Sequence, residues 1–372
     1  VLRLFIIQYR AILLISFILI SAEDIKCQGF DFKGQLSSWG MGSNLQNDLN
    51  GYFGIRYIPQ FNYSYQVDEH NLLNTEVLFN TYYSTDLNSH DYAFKFYRAI
   101  FRYTTAQTET QIGLQKINFG PAQLLRPLMW FDSVDPRDPL KLTDGVYAVR
   151  YKYNFIDNSN FWLWCLYGNR DTKGYEIYRT ADKTPEFGGR LQLPVPAGEI
   201  AATFHTRKAD EGIFDYRENR YAFDGRWDIG IGIWLESVLQ QNISDSPIYK
   251  WNKMTAIGGD YTIPIENGIY ILAEHMFSNA SNSTWNTNNN RQVSALMMTY
   301  PIGVLDVLTL QEYYSWQDKN LYQFYQWQRT YDSFIINAAL FHYPENGAPL
   351  FSQFKTAPAS GYGVELMLIY NY

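Results

Sequence analysis

Tyr362-Gly363-Val364-Glu365-Leu366-Met367-Leu368-Ile369-Tyr370-Asn371-Tyr372 closes the chain, and its reading decides the fold. Tyr362, Val364, Leu366, Leu368, Tyr370 and Tyr372 recur at a spacing of two, so an extended strand carries all six on one face. Glu365 and Asn371 lie on the other. A single strand of this kind also suits a soluble sheet that packs its apolar face on a core. The remainder of the chain distinguishes the two.

Aromatic residues make up 17% of the 372 residues, with 31 Tyr and 10 Trp, yet the mean hydropathy is only −0.30. Apart from Ala11–Ile20 there is no long apolar run, which excludes a bundle of membrane-spanning helices. The net charge of −7 and a pI near 5.3 argue against a nucleic-acid partner. Ala11–Ile20 itself follows Arg3 and Arg10 and is too short to span a bilayer as a helix. It suits the apolar region of a secretory signal, so residues 1–29 are expected to be a signal peptide and 30–372 the mature domain. Ile25-Lys26 is a poor lead-in to a lipid-modified Cys27. Cys165 is then the one thiol left, so no intrachain disulfide can form.

The mature chain breaks into short alternating segments. Strands are expected near 30–40, 51–66, 71–84, 93–106, 107–118, 144–156, 159–168, 184–193, 197–207 and 218–229. The series continues near 230–241, 251–263, 267–277, 290–301, 304–316, 320–331, 333–343 and 361–372. Their connections alternate between tight turns and long polar stretches: 41–50, 85–92, 119–143, 169–183, 208–217, 242–250, 278–289 and 344–360. Only the tip at Asp318-Lys319 is short on the long-loop side. Sorting loops by length onto two ends is what transmembrane barrels do. The expected fold is therefore all-β: a transmembrane antiparallel β-barrel of about eighteen strands, with about sixteen as the alternative, in a bacterial outer membrane.

Period two then assigns faces. Tyr147, Val149, Tyr151, Tyr153 and Phe155 meet lipid, which leaves Arg150 and Lys152 for the lumen. Tyr97, Ala99, Phe101 and Tyr103 are placed outside, with Arg98 and Arg102 inside. Glu109, Gln111, Gln115, Arg190, Arg207 and Arg226 also fall on the inner face. A charge facing lipid at mid-bilayer costs about 2–4 kcal/mol, so the alternation leaves these groups no other side. They are the candidate pore-lining residues.

The longest connection carries Gly120-Pro121, then Leu124-Leu125-Arg126-Pro127-Leu128-Met129-Trp130-Phe131-Asp132, then Asp135-Pro136-Arg137-Asp138-Pro139. Its Pro and Asp residues fix turns, where a flexible loop would carry Gly and Ser. Its apolar residues would be poorly placed in water. The loop 119–143 is therefore expected to fold inward, with Arg126, Asp132, Asp135, Arg137 and Asp138 as a constriction.

Over about 113–156 this segment resembles the porin superfamily, in particular the alginate-export and capsule-assembly barrels. Those carry a Gly-x-Gln-Lys/Arg strand followed by a Gly-Pro…Asp-Pro-Arg-Asp loop, matched here by Gly113-Leu114-Gln115-Lys116 and by Gly120-Pro121…Asp135-Pro136-Arg137-Asp138. The resemblance implies a channel or a polysaccharide-binding barrel. A strand that ends on an aromatic also resembles those read by the barrel-assembly machinery, which makes Tyr372 the expected contact for it.

Enzymatic chemistry has no motif to rest on. His70, His90, His205, His275 and His342 are scattered, and none stands at a hydrolase or HExxH spacing. No cofactor is implied. The expected function is a channel for passive diffusion of small polar or anionic solutes. The alternative is a plugged barrel that binds or exports surface polysaccharide, with Trp285 among Asn286, Asn288, Asn289 and Asn290 as a platform for sugars.

Overall fold

Eighteen strands form one sheet that closes on itself. The computed structural model describes residues 29–45, 48–86, 89–212, 215–243, 249–284, 290–344 and 361–372. Residues 1–28 of the expected signal segment 1–29, and Trp285–Asn289 of the expected sugar platform, lie outside them. The first strands are β1 (Phe30–Leu45), β2 (Asp48–Asp68), β3 (Asn71–Thr85), β4 (His90–Thr104), β5 (Thr108–Gln115) and β6 (Val146–Asn154). Next come β7 (Asn160–Leu166), β8 (Glu186–Val195), β9 (Gly198–Asp210), β10 (Asp215–Asp228), β11 (Gly232–Ile243) and β12 (Trp251–Ile263). The ring is completed by β13 (Ile269–Ser281), β14 (Arg291–Pro301), β15 (Asp306–Ser315), β16 (Asn320–Thr330), β17 (Phe334–Tyr343) and β18 (Gly361–Asn371).

Every strand pairs antiparallel with its sequence neighbours, and β18 pairs with β1 from Gln35↔Asn371 to Asn44↔Tyr362. Closure leaves no strand edge with unpaired backbone groups, which a sheet in lipid requires. Tyr372 extends the seam: its amide donates to the Gly34 carbonyl and the Gly34 amide donates back, both at 3.1 Å. Its hydroxyl lies 2.6 Å from that of Tyr57.

The terminal strand divides as its period requires. Tyr362, Val364, Leu366 and Leu368 are exposed on the outside, while Met367 and Ile369 between them are buried toward the lumen. Ile112, Tyr147, Val149, Leu163, Phe204, Tyr221, Phe223, Ile257 and Phe277 continue the outward apolar belt around the ring. An exposed apolar surface of this extent, closed into a ring, is a lipid-facing wall.

Two expectations are corrected. The sorting of loops by length is weaker than the sequence implies. Connections 46–47, 86–89 and 211–214 are short, because β1, β2, β3, β4, β9 and β10 run on beyond the expected ends. Strand pairing continues there through polar residues, which carry no alternation to mark them. Tyr97 is also not on the lipid face. Leu78 pairs with Arg98 but Phe79 pairs with Phe96, so Tyr97 is the extra residue of a β-bulge. The bulge turns its ring to the lumen, where its hydroxyl accepts a hydrogen bond from the Thr143 amide at 3.2 Å.

A loop-filled lumen as the candidate functional site

The connection between β5 and β6 folds into the barrel and crosses it. Its first half, Ile117, Phe119, Leu128, Trp130 and Phe131, packs on Val146, Ala148, Trp164, Leu166 and Val238. Ala122, Leu124, Leu125 and Met129 pack on the opposite wall, against Trp234, Leu272, Met276, Tyr313 and Phe341 among others. The inner face of β11–β17 is thus apolar where the loop covers it. Burial of these side chains drives the loop inward, as a mixed apolar and charged sequence demands.

Hydrogen bonding fixes where it lies. Inside the wall, Glu236 on β11 accepts from the amides of Ala122 (2.8 Å) and Leu128 (3.1 Å). Glu274 on β13 accepts from the amides of Gln123 (2.7 Å), Leu124 (3.0 Å) and Leu125, and from the Trp234 indole (3.1 Å). Both carboxylates are buried, so the loop amides replace water as their donors. Gly120 has φ of +94°, and a Cβ there would collide with the Glu236 carboxylate. Only glycine allows the loop to lie this close.

The Asp and Arg residues of the loop are fastened within it. Arg126 makes a two-point contact with Asp132 at 3.1 and 3.0 Å, and Arg137 one with Asp135 at 2.9 and 2.6 Å. Asp138 accepts from the amides of Leu140 (2.9 Å) and Leu142 (3.1 Å) and so holds a turn. Burial pushes the Asp138 carboxyl upward, against these amides and the charge of Arg56. The far wall is reached through Gln311, whose amide donates to the Pro136 carbonyl at 3.2 Å, and through the Tyr343 ring, 5.2 Å from the Arg137 guanidinium.

A second loop, 167–185, stacks on the first. Gly174 has φ of +51°, and a Cβ there would collide with the Met129 carbonyl. Lys173 pairs with Glu186 (3.0 Å) and Glu176 (3.3 Å). Glu176 also meets Arg207 (3.3 Å) and Arg220 (3.0 Å), and Glu218 joins the same two arginines, at 2.8 Å to Arg207. His205 accepts from the Trp164 indole on Nδ1 (3.2 Å) and faces Glu186 through Nε2 (3.1 Å). A ring that accepts at Nδ1 and donates at Nε2 is the neutral tautomer, so it serves as a bridge within the wall.

The expected pore-lining residues all lie on the inner side, in three different settings. Arg190, Arg207, Gln111 and Gln115 are buried. Arg190 grips Asp224 at 2.6 and 2.7 Å, and the Gln115 amide donates to the Ala148 carbonyl at 2.9 Å. Arg98 is buried and donates to the Thr143 carbonyl at 2.8 Å, so it fastens the end of the loop. Arg150 pairs with Glu109 at 2.6 Å. Like Arg150 and Glu109, Arg102, Lys152 and Arg226 keep partial access to the lumen, the last three beside Glu109, Trp162 and Asp260 respectively. The expected basic wall is largely neutralised, because β10 supplies carboxylates to Arg190 and Arg207 and β5 supplies one to Arg150.

The inner face of β1–β4 differs from the rest. Gln60, Asn62, Asn74, Glu76 and Lys95 keep partial exposure there. Sequence reasoning missed Arg56, Glu236 and Glu274. Each has the inward parity of its strand, which was the available signal. Their partners lie on other strands or more than a hundred residues away in the chain.

No family model matches the sequence, and no curated protein sequence matches it. Solved structures do match in fold. OccAB2 of Acinetobacter baumannii aligns with a TM-score of 0.61 at 11% identity, over 94% of this chain and 99% of that one. OccAB4 of the same organism gives 0.60 at 10%, over 93% and 98%. OmpF of Salmonella typhi, solved in complex with daunomycin, gives 0.52 at 9%, over 92% and 97%. At these identities the likeness is one of fold: the chain is a closed antiparallel β-barrel like these, and its lipid-facing belt makes it a transmembrane one.

Proposed function

We propose that the protein is a porin-like channel through which small polar or anionic solutes diffuse passively. The observation that carries this reading is the asymmetry of the lumen. The inward loops pack their apolar residues against β6, β7 and β11–β17 and meet β4 at Tyr97 and Arg98, whereas Gln60, Asn62, Asn74, Glu76 and Lys95 on the β1–β4 wall keep partial exposure. A channel needs a polar lane beside its constriction, and these partly exposed side chains favour one along this wall. The reading requires no catalytic group. Arg102 and Lys152 supply positive charge to that space, which raises the local concentration of anions. Replacing both (Arg102→Gln, Lys152→Gln) should move the zero-current potential in a salt gradient toward cation preference. An unchanged potential would remove these two residues from ion selection.

The second reading, a plugged barrel that binds or exports polysaccharide, is favoured by the amount of loop packed inside. It agrees with the resemblance of 113–156 to alginate-export and capsule-assembly barrels. A protein that binds oligosaccharide without passing ions would establish it over the channel.

The mature domain is proposed to follow a cleaved leader and to enter the membrane through the barrel-assembly machinery, with Tyr372 as a recognition element. Tyr372→Asp should slow assembly, since it also breaks the hydroxyl contact with Tyr57 and the ring contact with Phe32 at 5.6 Å. Surface amounts and heat-modifiable gel mobility equal to those of the parent would show the residue to be incidental.

A further inference from the structure

The lipid-facing wall is interrupted in one sector. On β15, Glu312 stands between Gln311 and Tyr313, both buried toward the lumen, so it faces outward in line with Leu308, Leu310, Tyr314 and Trp316. His275 on β13 and Ser294 on β14 face outward by the same alternation, each between two buried inner residues. Gln323 and the Tyr325 hydroxyl on β16 donate to Glu312 Oε1 at 3.1 and 3.2 Å. Among the described residues nothing meets Oε2. The Ser294 hydroxyl accepts from the Trp316 indole at 2.9 Å, which leaves its own proton for His275 Nδ1 at 2.8 Å. His275 then carries its proton on Nε2, which has no partner among the described residues. An acceptor and a donor are thus left open on a surface where lipid tails supply neither. Headgroups lie at the level of girdle rings such as Trp316, further out than Glu312.

The same sector is uneven in shape. A hollow of about 560 Å³ crosses it, with Gly259 and Ala273 at its β12–β13 end and Tyr314 and Leu321 at its β15–β16 end. Small side chains therefore lie on the His275 side and bulky ones on the Glu312 side. Because the strands tilt, rows of paired residues descend toward the short turns in passing from β18 to β14. The row of Leu366, in mid-strand, runs through Ala338, Trp327 and Leu308 to Tyr300, beside the turn that ends β14. Glu312 pairs in the row of Leu296 and Ala273, whereas His275 is one outward step above it, in the row of Ser294 and Tyr314. The descent across two strands brings Glu312 and His275 level. Half a turn about an axis along the membrane normal, passing in front of β14, keeps this height and exchanges β13 with β15. We propose that this sector is the contact between two copies of the chain. Glu312 of each copy accepts from His275 Nε2 of the other, and the ridge of Tyr314, Leu321 and Tyr325 enters the other's hollow at Gly259 and Ala273. The sector is complementary to itself in charge and in shape, as an isologous contact requires. The pairing does not depend on whether the barrel conducts.

Light scattering on the full chain, eluting from a sizing column in mild detergent, tests this. Two chains per particle are expected. Glu312→Leu and His275→Leu should each weaken association about tenfold or more, because the axis repeats every lost contact. Heat-modifiable gel mobility would confirm that the variants are folded barrels. His275→Glu alone sets like charges face to face and should give single chains, whereas His275→Glu with Glu312→His in one chain should restore the pair. If the exchanged chain does not fold, Leu296→Cys in a Cys165→Ser background replaces it. Oxidation with copper phenanthroline should then give a linked dimer that neither the background nor Tyr221→Cys on β10 gives. One chain per particle, both in detergent and in lipid nanodiscs, would overturn the pairing. Three chains per particle, or two that survive Glu312→Leu unchanged, would put the contact on another face and overturn it as well. Single chains whose bound lipid is lost with Glu312→Leu would give the sector to a lipid instead.

Discussion

Removal of residues 124–138, with a short Gly-Ser link in their place, should raise single-channel conductance several-fold. The deleted piece contains Leu124, Leu125, Leu128, Met129, Trp130 and Phe131, all buried against the inner wall. Tyr175 of the second loop also packs on the β11–β17 side and stays in place. Conductance follows the free cross-section, so emptying that side should have a large effect. Ion preference should change little, because Arg102 and Lys152 are untouched. A milder version separates the pins from the bulk. Glu236→Ala with Glu274→Ala removes the acceptors of five loop amides, each costing about 1–3 kcal/mol if left unpaired in the wall. The loop should then detach part of the time and give a fluctuating current between two levels. A steady current at the parental level in the double variant would show that apolar packing alone holds the loop.

Glu218→Ala should be the most damaging single substitution in the wall. Its carboxylate lies between Arg207 and Arg220, and all three are buried. Removing one partner of a buried ion pair leaves an uncompensated charge, which costs about 3–5 kcal/mol. Glu176 remains to both arginines, at 3.3 and 3.0 Å, so the loss falls at the lower end of that range. Urea unfolding followed by gel mobility in lipid micelles would register the loss. A parental midpoint would mean that water enters the network and solvates the arginines.

The strands were legible because lipid and lumen impose opposite chemistry on alternate residues. Tyr362–Tyr372 and Tyr147–Phe155 each announce both faces without help from the rest of the chain. Where strands leave the bilayer the constraint lapses, and no alternation marks Leu45, Asp210 and Asp215 as paired. The Tyr97 bulge was hidden for another reason. An inserted residue shifts the parity of Phe94 and Phe96 against Phe101 and Tyr103, and both sets are aromatic. The inward loop was legible from its own composition, since Leu-Met-Trp-Phe cannot stay in water beside fixed prolines. Its anchors were not. Glu236 and Glu274 look like any polar residue with inward parity, and only the fold brings Ala122 and Leu125 against them.

Planar-bilayer recording of the purified protein tests the channel most directly. The account predicts stepwise insertion of ohmic conducting units whose size rises when 124–138 are removed. A correctly assembled, heat-modifiable barrel that passes no current, either intact or with 124–138 removed, would contradict it.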